Sequence, residues 1–239
     1  MANSISFIIE SKVLKTFALD AGEDITGVCI DGPYLWVTKS PGTVEQHYLT
    51  NEGTLTKVSE LDLTGFGYNS IHGITRDDTD LYVSVLLSDE DPPITGIIKI
   101  SKQGHALKTI LQKSASVSDA NGYIDLEFDG LYLWALFDDG ISSGNLPVVE
   151  QIDIMAGVIV QSFAPSVSDP IVALTFNGVN LQLMSSADFF HVDRDGNILA
   201  LESTTGIVPS GLAFANPDLN LQAGFLDSFD GILYVVAHI

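Results

Sequence analysis

The sequence predicts an all-β chain folded as a five-bladed β-propeller with four antiparallel strands per blade. The first reason is a repeat. A turn dipeptide leads into a short apolar strand five times, at Tyr34-Leu35-Trp36-Val37, Asp80-Leu81-Tyr82-Val83, Tyr132-Leu133-Trp134-Ala135, Asn180-Leu181-Gln182-Leu183 and Ile232-Leu233-Tyr234-Val235. The shared leucines are spaced by 46, 52, 48 and 52 residues. Strand patterning at such a period is characteristic of a propeller or another repeat array. The second reason is turn chemistry, and the third is the way the two ends of the chain complement each other.

Each repeat reads as two hairpins. The first joins an inner strand to the Leu-bearing strand through Asp31-Gly32, Asp77-Asp78, Asp129-Gly130, Asn177-Gly178 or Asp230-Gly231. Asp-Gly and Asn-Gly favour two-residue hairpin turns because they tolerate positive φ. The strands before these turns are Thr26–Ile30, His72–Thr75, Asp125–Phe128 and Val172–Phe176. Small residues at Gly27, Gly73 and Ala173 suit a crowded central axis. The second hairpins close on Gly53, Gly104, Gly157 and Gly196, each late in its turn.

Only six residues follow Leu233, too few for a second hairpin, while Ile5–Phe17 has the form of a second hairpin without a first. The reading is therefore a ring whose last blade takes two inner strands from the C-terminus and two outer strands from the N-terminus. Closure of that kind removes free sheet edges. The predicted single domain spans 1–239, with repeats at about 25–64, 71–112, 123–163, 171–203, and 222–239 plus 5–19. Residues 205–221 are read as a long connection. The alternative is a partial sixth blade built from Pro209–Phe214 and Leu219–Gln222.

Composition narrows the function. Ten basic residues face 31 acidic ones, a net charge of −21, which repels phosphate backbones and excludes nucleic acid as an expected partner. No apolar run has the length of a membrane-spanning helix, so no membrane insertion is expected. Cys29 is the only cysteine, so no internal disulfide or Cys-based zinc cluster forms, and between Val28 and Ile30 it reads as a small buried hydrophobe. Met1–Leu14 lacks the pattern of a secretory signal and no Asn-x-Ser/Thr sequon occurs, which predicts synthesis in the cytoplasm.

The unit of small residue, apolar strand, Asp-Gly, Leu-aromatic-Val and Gly-closed hairpin resembles the broad group of NHL-like and YVTN-like β-propeller repeats. The resemblance covers nearly the whole chain through short, degenerate motifs and implies the fold. Propellers of this group host hydrolases, lyases, lectins and scaffolds, so function has to come from the site.

Propeller sites gather at a mouth of the central channel. With Thr26, His72, Asp125 and Val172 taken as equivalent inner-strand positions, His72 and Asp125 are the candidate ligand-binding pair. Glu127 shares the strand face of Asp125 because it lies two residues on. Against a metal shell, the remaining members of that ring are Thr and Val. No cofactor or metal ligand set is therefore assigned, although a divalent cation at His72, Asp125 and Glu127 is the form a hydrolase or lyase would take. Trp36, Tyr82, Trp134 and Tyr234 recur at one repeat position, with Gln182 in the fourth slot. They are read as packing between blades rather than as sugar platforms. Asp193–Asn197 lacks the ligand spacing of a calcium loop and is read as a turn. The acidic stretches Ser88–Pro93 and Phe137–Gly140 are read as solvated rims, with a cation or basic partner as the alternative. His47, His105, His191 and His238 are expected to be ordinary surface or edge histidines.

No catalytic constellation, phosphate loop or nucleophile elbow is present. The expectation is a non-catalytic structural or binding propeller that self-assembles or binds protein partners, in its most specific form a virion component such as a phage tail or capsid-decorating protein. A glycan-binding, lectin-like propeller and a channel-mouth hydrolase or lyase are the alternatives.

Overall fold

The computed structural model describes residues 11–18, 25–49, 55–68, 70–88, 92–105, 108–116, 121–140, 146–167, 169–185, 188–203, 209–213, 223–227 and 232–238. For 11–18, 49, 88, 202–203 and the three strands after 208 it describes the backbone alone. Strand β1 (Ser11–Ala18) comes first. Four sheets of consecutive strands follow, each an up-and-down meander. The first blade is β2 (Ile25–Asp31), β3 (Tyr34–Lys39), β4 (Thr43–Leu49) and β5 (Leu55–Asp62). The second is β6 (Ser70–Arg76), β7 (Asp80–Ser88), β8 (Ile94–Ser101) and β9 (Lys108–Ser114). The third is β10 (Gly122–Phe128), β11 (Leu133–Asp138), β12 (Val148–Asp153) and β13 (Val158–Phe163). The fourth is β14 (Ile171–Phe176), β15 (Leu181–Ser185), β16 (Asp188–Val192) and β17 (Ile198–Ser203). The chain is an antiparallel β-propeller with four-stranded blades.

The last strands, β18 (Pro209–Ala213), β19 (Ala223–Asp227) and β20 (Ile232–His238), form a sheet in the order β18-β19-β20-β1. This corrects the expected division of strands. Three strands come from the C-terminal part and one from the N-terminal part, not two and two. Pro209–Ala213 is the innermost strand of this sheet rather than part of a long connection or the start of a sixth blade. The reason lies in its register. The pairing with β19 skips a residue between Pro209 and Gly211, as the inner strands of the other sheets do between Ile25 and Gly27, Tyr123 and Asp125, and Ile171 and Ala173. Leu233 therefore lies in a third strand, between Leu226 and Phe17, and only imitates the Leu35 position. The predicted hairpin partner at 5–10 and the turn Asp230-Gly231 lie outside the described residues.

The inner hairpins close tightly, as the turn dipeptides predict. The first blade pairs Asp31 with Tyr34. In the second, third and fourth blades the N–H groups of Asp77, Asp129 and Asn177 donate to the carbonyls of Asp80 (3.0 Å), Tyr132 (3.0 Å) and Asn180 (3.1 Å), which leaves two residues in each loop. There the turn Asp or Asn acts through its side chain. Asp129 Oδ1 accepts the N–H groups of Leu131 (2.9 Å) and Tyr132 (2.7 Å), and Asn177 Oδ1 those of Val179 (3.0 Å) and Asn180 (2.8 Å). Such Asx turns take the return N–H in place of the backbone carbonyl and so fix the two-residue loop.

The core is the set of seams between blades. Trp36 packs with second-blade residues such as Ile71 and Leu81, Tyr82 with Leu126 and Leu133 of the third, and Trp134 with Leu174 and Leu183 of the fourth. All three rings are fully buried. Around the axis the inner strands touch in sequence: β2 against β6, β6 against β10, β10 against β14, β14 against β18, and β18 against β2. Their backbones approach so closely that a Cβ on Gly27 would lie 2.6 Å from the His72 carbonyl oxygen, and one on Gly73 would lie 2.8 Å from the Asp125 carbonyl carbon.

Gly73→Ala is expected to lower stability by about 2 kcal/mol or more, because the added methyl meets backbone that cannot rotate away. Gly65→Ala, where nothing lies within 4 Å, should stay within about 0.5 kcal/mol. Urea unfolding of the two variants measures the difference.

Candidate functional site

Inner-strand pairing decides where each candidate residue stands. Val28, Ile74, Leu126 and Leu174 are paired with equivalent residues of their second strands, Val37, Val83, Ala135 and Leu183. Counting back from them, one ring around the axis is Thr26, His72, Ile124 and Val172, and the next is Gly27, Gly73, Asp125 and Ala173. The expected equivalence of Asp125 with His72 is thus displaced by one residue. Ile124, skipped by the bulge as Thr26 and Val172 are in their own strands, takes the place matching His72, and Asp125 occupies the ring otherwise kept small. A bulge adds one residue to a single strand and re-aims everything beyond it.

This placement gives Asp125 a structural task. It is fully buried, and its carboxylate accepts the N–H of Leu126 at 2.9 Å and, across the seam, that of Leu174 in the fourth blade at 2.8 Å. His72 has its Nε2 3.1 Å from Ser70 Oγ, and burial lowers its pKa, keeping the ring neutral. Its carbonyl oxygen, meanwhile, accepts a bond from the Thr38 hydroxyl of the first blade. Among the described residues no group of three His, Cys, Asp or Glu side chains is placed to hold a metal ion.

Glu127 does reach an opening. A cavity of about 430 Å³ lies where the inner strands end, bounded by Cys29, Thr75, Arg76, Glu127, Phe128 and Phe176 and by the turns that follow them. Neither His72 nor Asp125 lines it. The expected site lies toward the start of the inner strands, whereas this cavity lies at their other end. Glu127 Oε2 accepts the Thr175 hydroxyl at 3.0 Å and Oε1 the Phe128 N–H at 3.2 Å. Burial outweighs these bonds and the nearby Arg76 charge, raising the carboxyl pKa to about 8. Glu127 is therefore a neutral acid at pH 7, able to donate a hydrogen bond. Beside it the Cys29 thiol is pushed well up by burial, which leaves it unreactive as a nucleophile.

The rim was missed by sequence reasoning. Both arginines of the chain stand there. Arg76 Nε donates to the Ile30 carbonyl at 3.3 Å and pairs with Asp31 at 3.3 Å and Asp78 at 3.8 Å. Arg194 pairs with Asp129 at 3.2 Å and lies 5.1 Å over the Phe176 ring. Lys102 reaches Asp31 at 2.7 Å. Two arginines in so acidic a chain, one beside an inner turn and one in an outer turn, were the signal available. The rim carboxylates are also held by the buried aromatics: Trp134 Nε1 donates to Asp129 at 2.9 Å and the Tyr82 hydroxyl to Asp77 at 2.8 Å. Tyr82 and Trp134 are thus seam packing with a polar anchor, while the buried Trp36 Nε1 has no such partner, and with no exposed face these three rings cannot serve as sugar platforms.

Asp193–Asn197 is a turn, with Asp193 Oδ1 accepting the N–H groups of Asp195 (3.0 Å) and Asn197 (2.8 Å). In the second acidic stretch, Asp138 accepts the Asn121 amide at 2.6 Å and Asp139 the Ser116 N–H at 2.5 Å, so both order loops. Residues 89–91 of the first lie outside the described set. His47 corrects the expectation of a surface histidine. It is buried, 2.9 Å from Glu45, which also receives Lys39 (2.8 Å) and Lys57 (2.5 Å). Burial opposes ionisation of Glu45, but the bonds from Lys39, Lys57 and His47 hold its pKa at about 2.

No family model and no curated protein matches the chain. Solved structures do match it, 738 chains in all, and their diversity is that of a fold rather than of one family. Glutaminyl cyclase of Myxococcus xanthus superposes with a TM-score of 0.68 at 12% identity, over 98% of both chains. The calcium-binding protein regucalcin of Agrobacterium tumefaciens gives 0.52 at 13% identity, over 88% of this chain and 74% of that one. A nidogen/laminin complex gives 0.50 at 13% identity, over 76% and 81%. These likenesses support the broad β-propeller repeat resemblance without selecting a specific family. Among the described residues no helix is long and apolar enough to cross a membrane.

Asp125→Ala strands two N–H groups at a buried seam and should cost about 3 kcal/mol, read by urea unfolding. Glu127 gives a pH signature. Its folded pKa of about 8 lies above the ordinary value of 4.5, so the native state holds the proton more tightly. Stability should therefore fall as pH rises from 4.5 to 8, and Glu127→Gln should flatten that slope in thermal melts.

Proposed function

We propose that the chain is a non-catalytic binding propeller that takes a small polar ligand at the mouth where the inner strands end. The cavity beside Glu127 carries this reading. Its lining combines a neutral carboxylic acid, the Arg76 guanidinium, the Thr75 hydroxyl and the rings of Phe128 and Phe176. Convergent polar groups in a partly apolar concavity are the usual form of a ligand site. A sugar unit, with hydroxyls to bond and C–H faces to lie on phenyl rings, is the ligand class this lining suits. A binding role is favoured over the hydrolase or lyase alternative because His72 and Asp125, which that alternative places beside Glu127, do not line the cavity. As the frame of the site we propose a single domain, 1–239, closed as a five-bladed ring; the contacts of β18 with both β14 and β2 support it.

A second reading is an assembly module, in the form suggested by the sequence a virion component. It is favoured by the outer strands of the third and fourth blades, where Val158, Val160, Leu199 and Leu201 are each about half exposed. The nidogen/laminin structure, a propeller-type match in complex with a protein partner, agrees with protein binding as a use of this fold.

Glycan-array binding tests the first reading. A saturable signal on a defined sugar, lost in Phe176→Ala and Arg76→Ala while Val58→Ala retains it, is the expected result. An array with no specific signal would remove the sugar class.

A further inference from the structure

The outer strands differ in how they protect their free edges. Strand β5 carries Lys57, Glu60 and Asp62, β9 carries Lys108 and Lys113, and β17 carries Glu202. Strand β13, Val158-Ile159-Val160-Gln161-Ser162-Phe163, carries no charge at all. The uncharged stretch runs from Ile154 to Ser168, bounded by Asp153 and Asp169. Charged side chains are a principal device by which natural edge strands avoid pairing with other chains, and β13 lacks it.

The first half of this strand is exposed. Val158 is 47% exposed, Ile159 38% and Val160 48%. The pairing with β12 skips Val160, a bulge that interrupts the alternation, and Val158, Ile159 and Val160 all meet solvent in succession. Met155, at the tip of the preceding hairpin, is 86% exposed and extends the apolar surface. As the last strand of its sheet, β13 has a free outer edge.

Charge selects the occupant. Two copies of a chain with net charge −21 repel over most approaches. Along β13 they can meet without bringing carboxylates together. We propose that β13 is a self-association edge, at which two copies join by antiparallel β13–β13 pairing about a two-fold axis. The same patch then serves both copies, as a two-fold contact requires. A single strand pair with its flanking side chains is a small contact, below about 1,200 Å², so the dimer is of the transient class. The proposal rests on the assembly reading above and is independent of what the mouth cavity binds.

Sedimentation equilibrium of the full chain, over a range of protein concentrations in low and high NaCl, tests it. A monomer–dimer equilibrium is expected, with the dimer fraction rising with salt as the mutual repulsion is screened. Val160→Lys should weaken the dimer at least about tenfold, since a buried charge opposes pairing. That variant lowers the net negative charge, so long-range repulsion would not explain the loss. Val58→Lys, on the outer strand of the first blade, should leave the equilibrium unchanged, and circular dichroism melts establish that both variants fold. A dimer that persists in Val160→Lys overturns the β13 assignment while the assembly reading stands. A monomer at every concentration and salt overturns self-assembly as a whole.

Discussion

The close approach of the inner strands around the axis governs the rest of this structure. Backbones can lie this near only where side chains are absent or turned away, which is why Gly27, Gly73 and Ala173 occupy one ring. Asp125 is the exception in that ring, and it is instructive. Its carboxylate lies across the third and fourth blades and accepts the Leu174 N–H, so a position that elsewhere must be small becomes a buried strap. Leaving a buried N–H without its acceptor costs about 1–3 kcal/mol, whereas exposed ion pairs contribute about 0–1 kcal/mol. The strap therefore outweighs exposed rim pairs such as Arg76–Asp78.

The same constraint explains the division of labour among acidic residues. Asp31, Asp77 and Asp129 end inner strands, where each is held by basic residues, aromatic donors or backbone N–H groups of its turn. Glu127, two residues before Asp129, points between blades into a poorly solvated space and keeps its proton to about pH 8. Neighbouring carboxyls on one strand end thus differ in charge state because one faces a turn and the other a seam. The neutral acid beside Phe128 and Phe176 gives the mouth its character, in a protein whose surface is otherwise strongly negative.

Much of this was legible in the sequence, for identifiable reasons. The recurrent Leu marked the second strands of four blades, and in three of them the ring that follows it is buried at a seam between blades. Cys29 read as a small hydrophobe, and it is buried. A one-residue offset set Asp125 beside His72. Counting five residues back from Asp31, Asp77, Asp129 and Asn177 reaches Thr26, His72, Ile124 and Val172, so Asp125 stands one position further on. Leu233 matched the motif because β20, Ile232–His238, is as apolar as the second strands, unlike the third strands β4 and β12 with Glu45-Gln46-His47 and Glu150-Gln151. Pro209-Ser210-Gly211-Leu212, with its small residue in the correct place, was the better guide to the innermost position.

By itself the sequence determined the fold class, the number of strands in a blade and the identity of the crowded axial residues, because strand alternation, turn chemistry and repeat spacing are local properties of a chain. Only the tertiary structure decided that Glu127 reaches a cavity where the inner strands end, that this carboxyl keeps its proton there, and that the final sheet takes three strands from one end of the chain and one from the other. Those outcomes depend on register and on contact between blades, and both are set by residues dozens of positions apart.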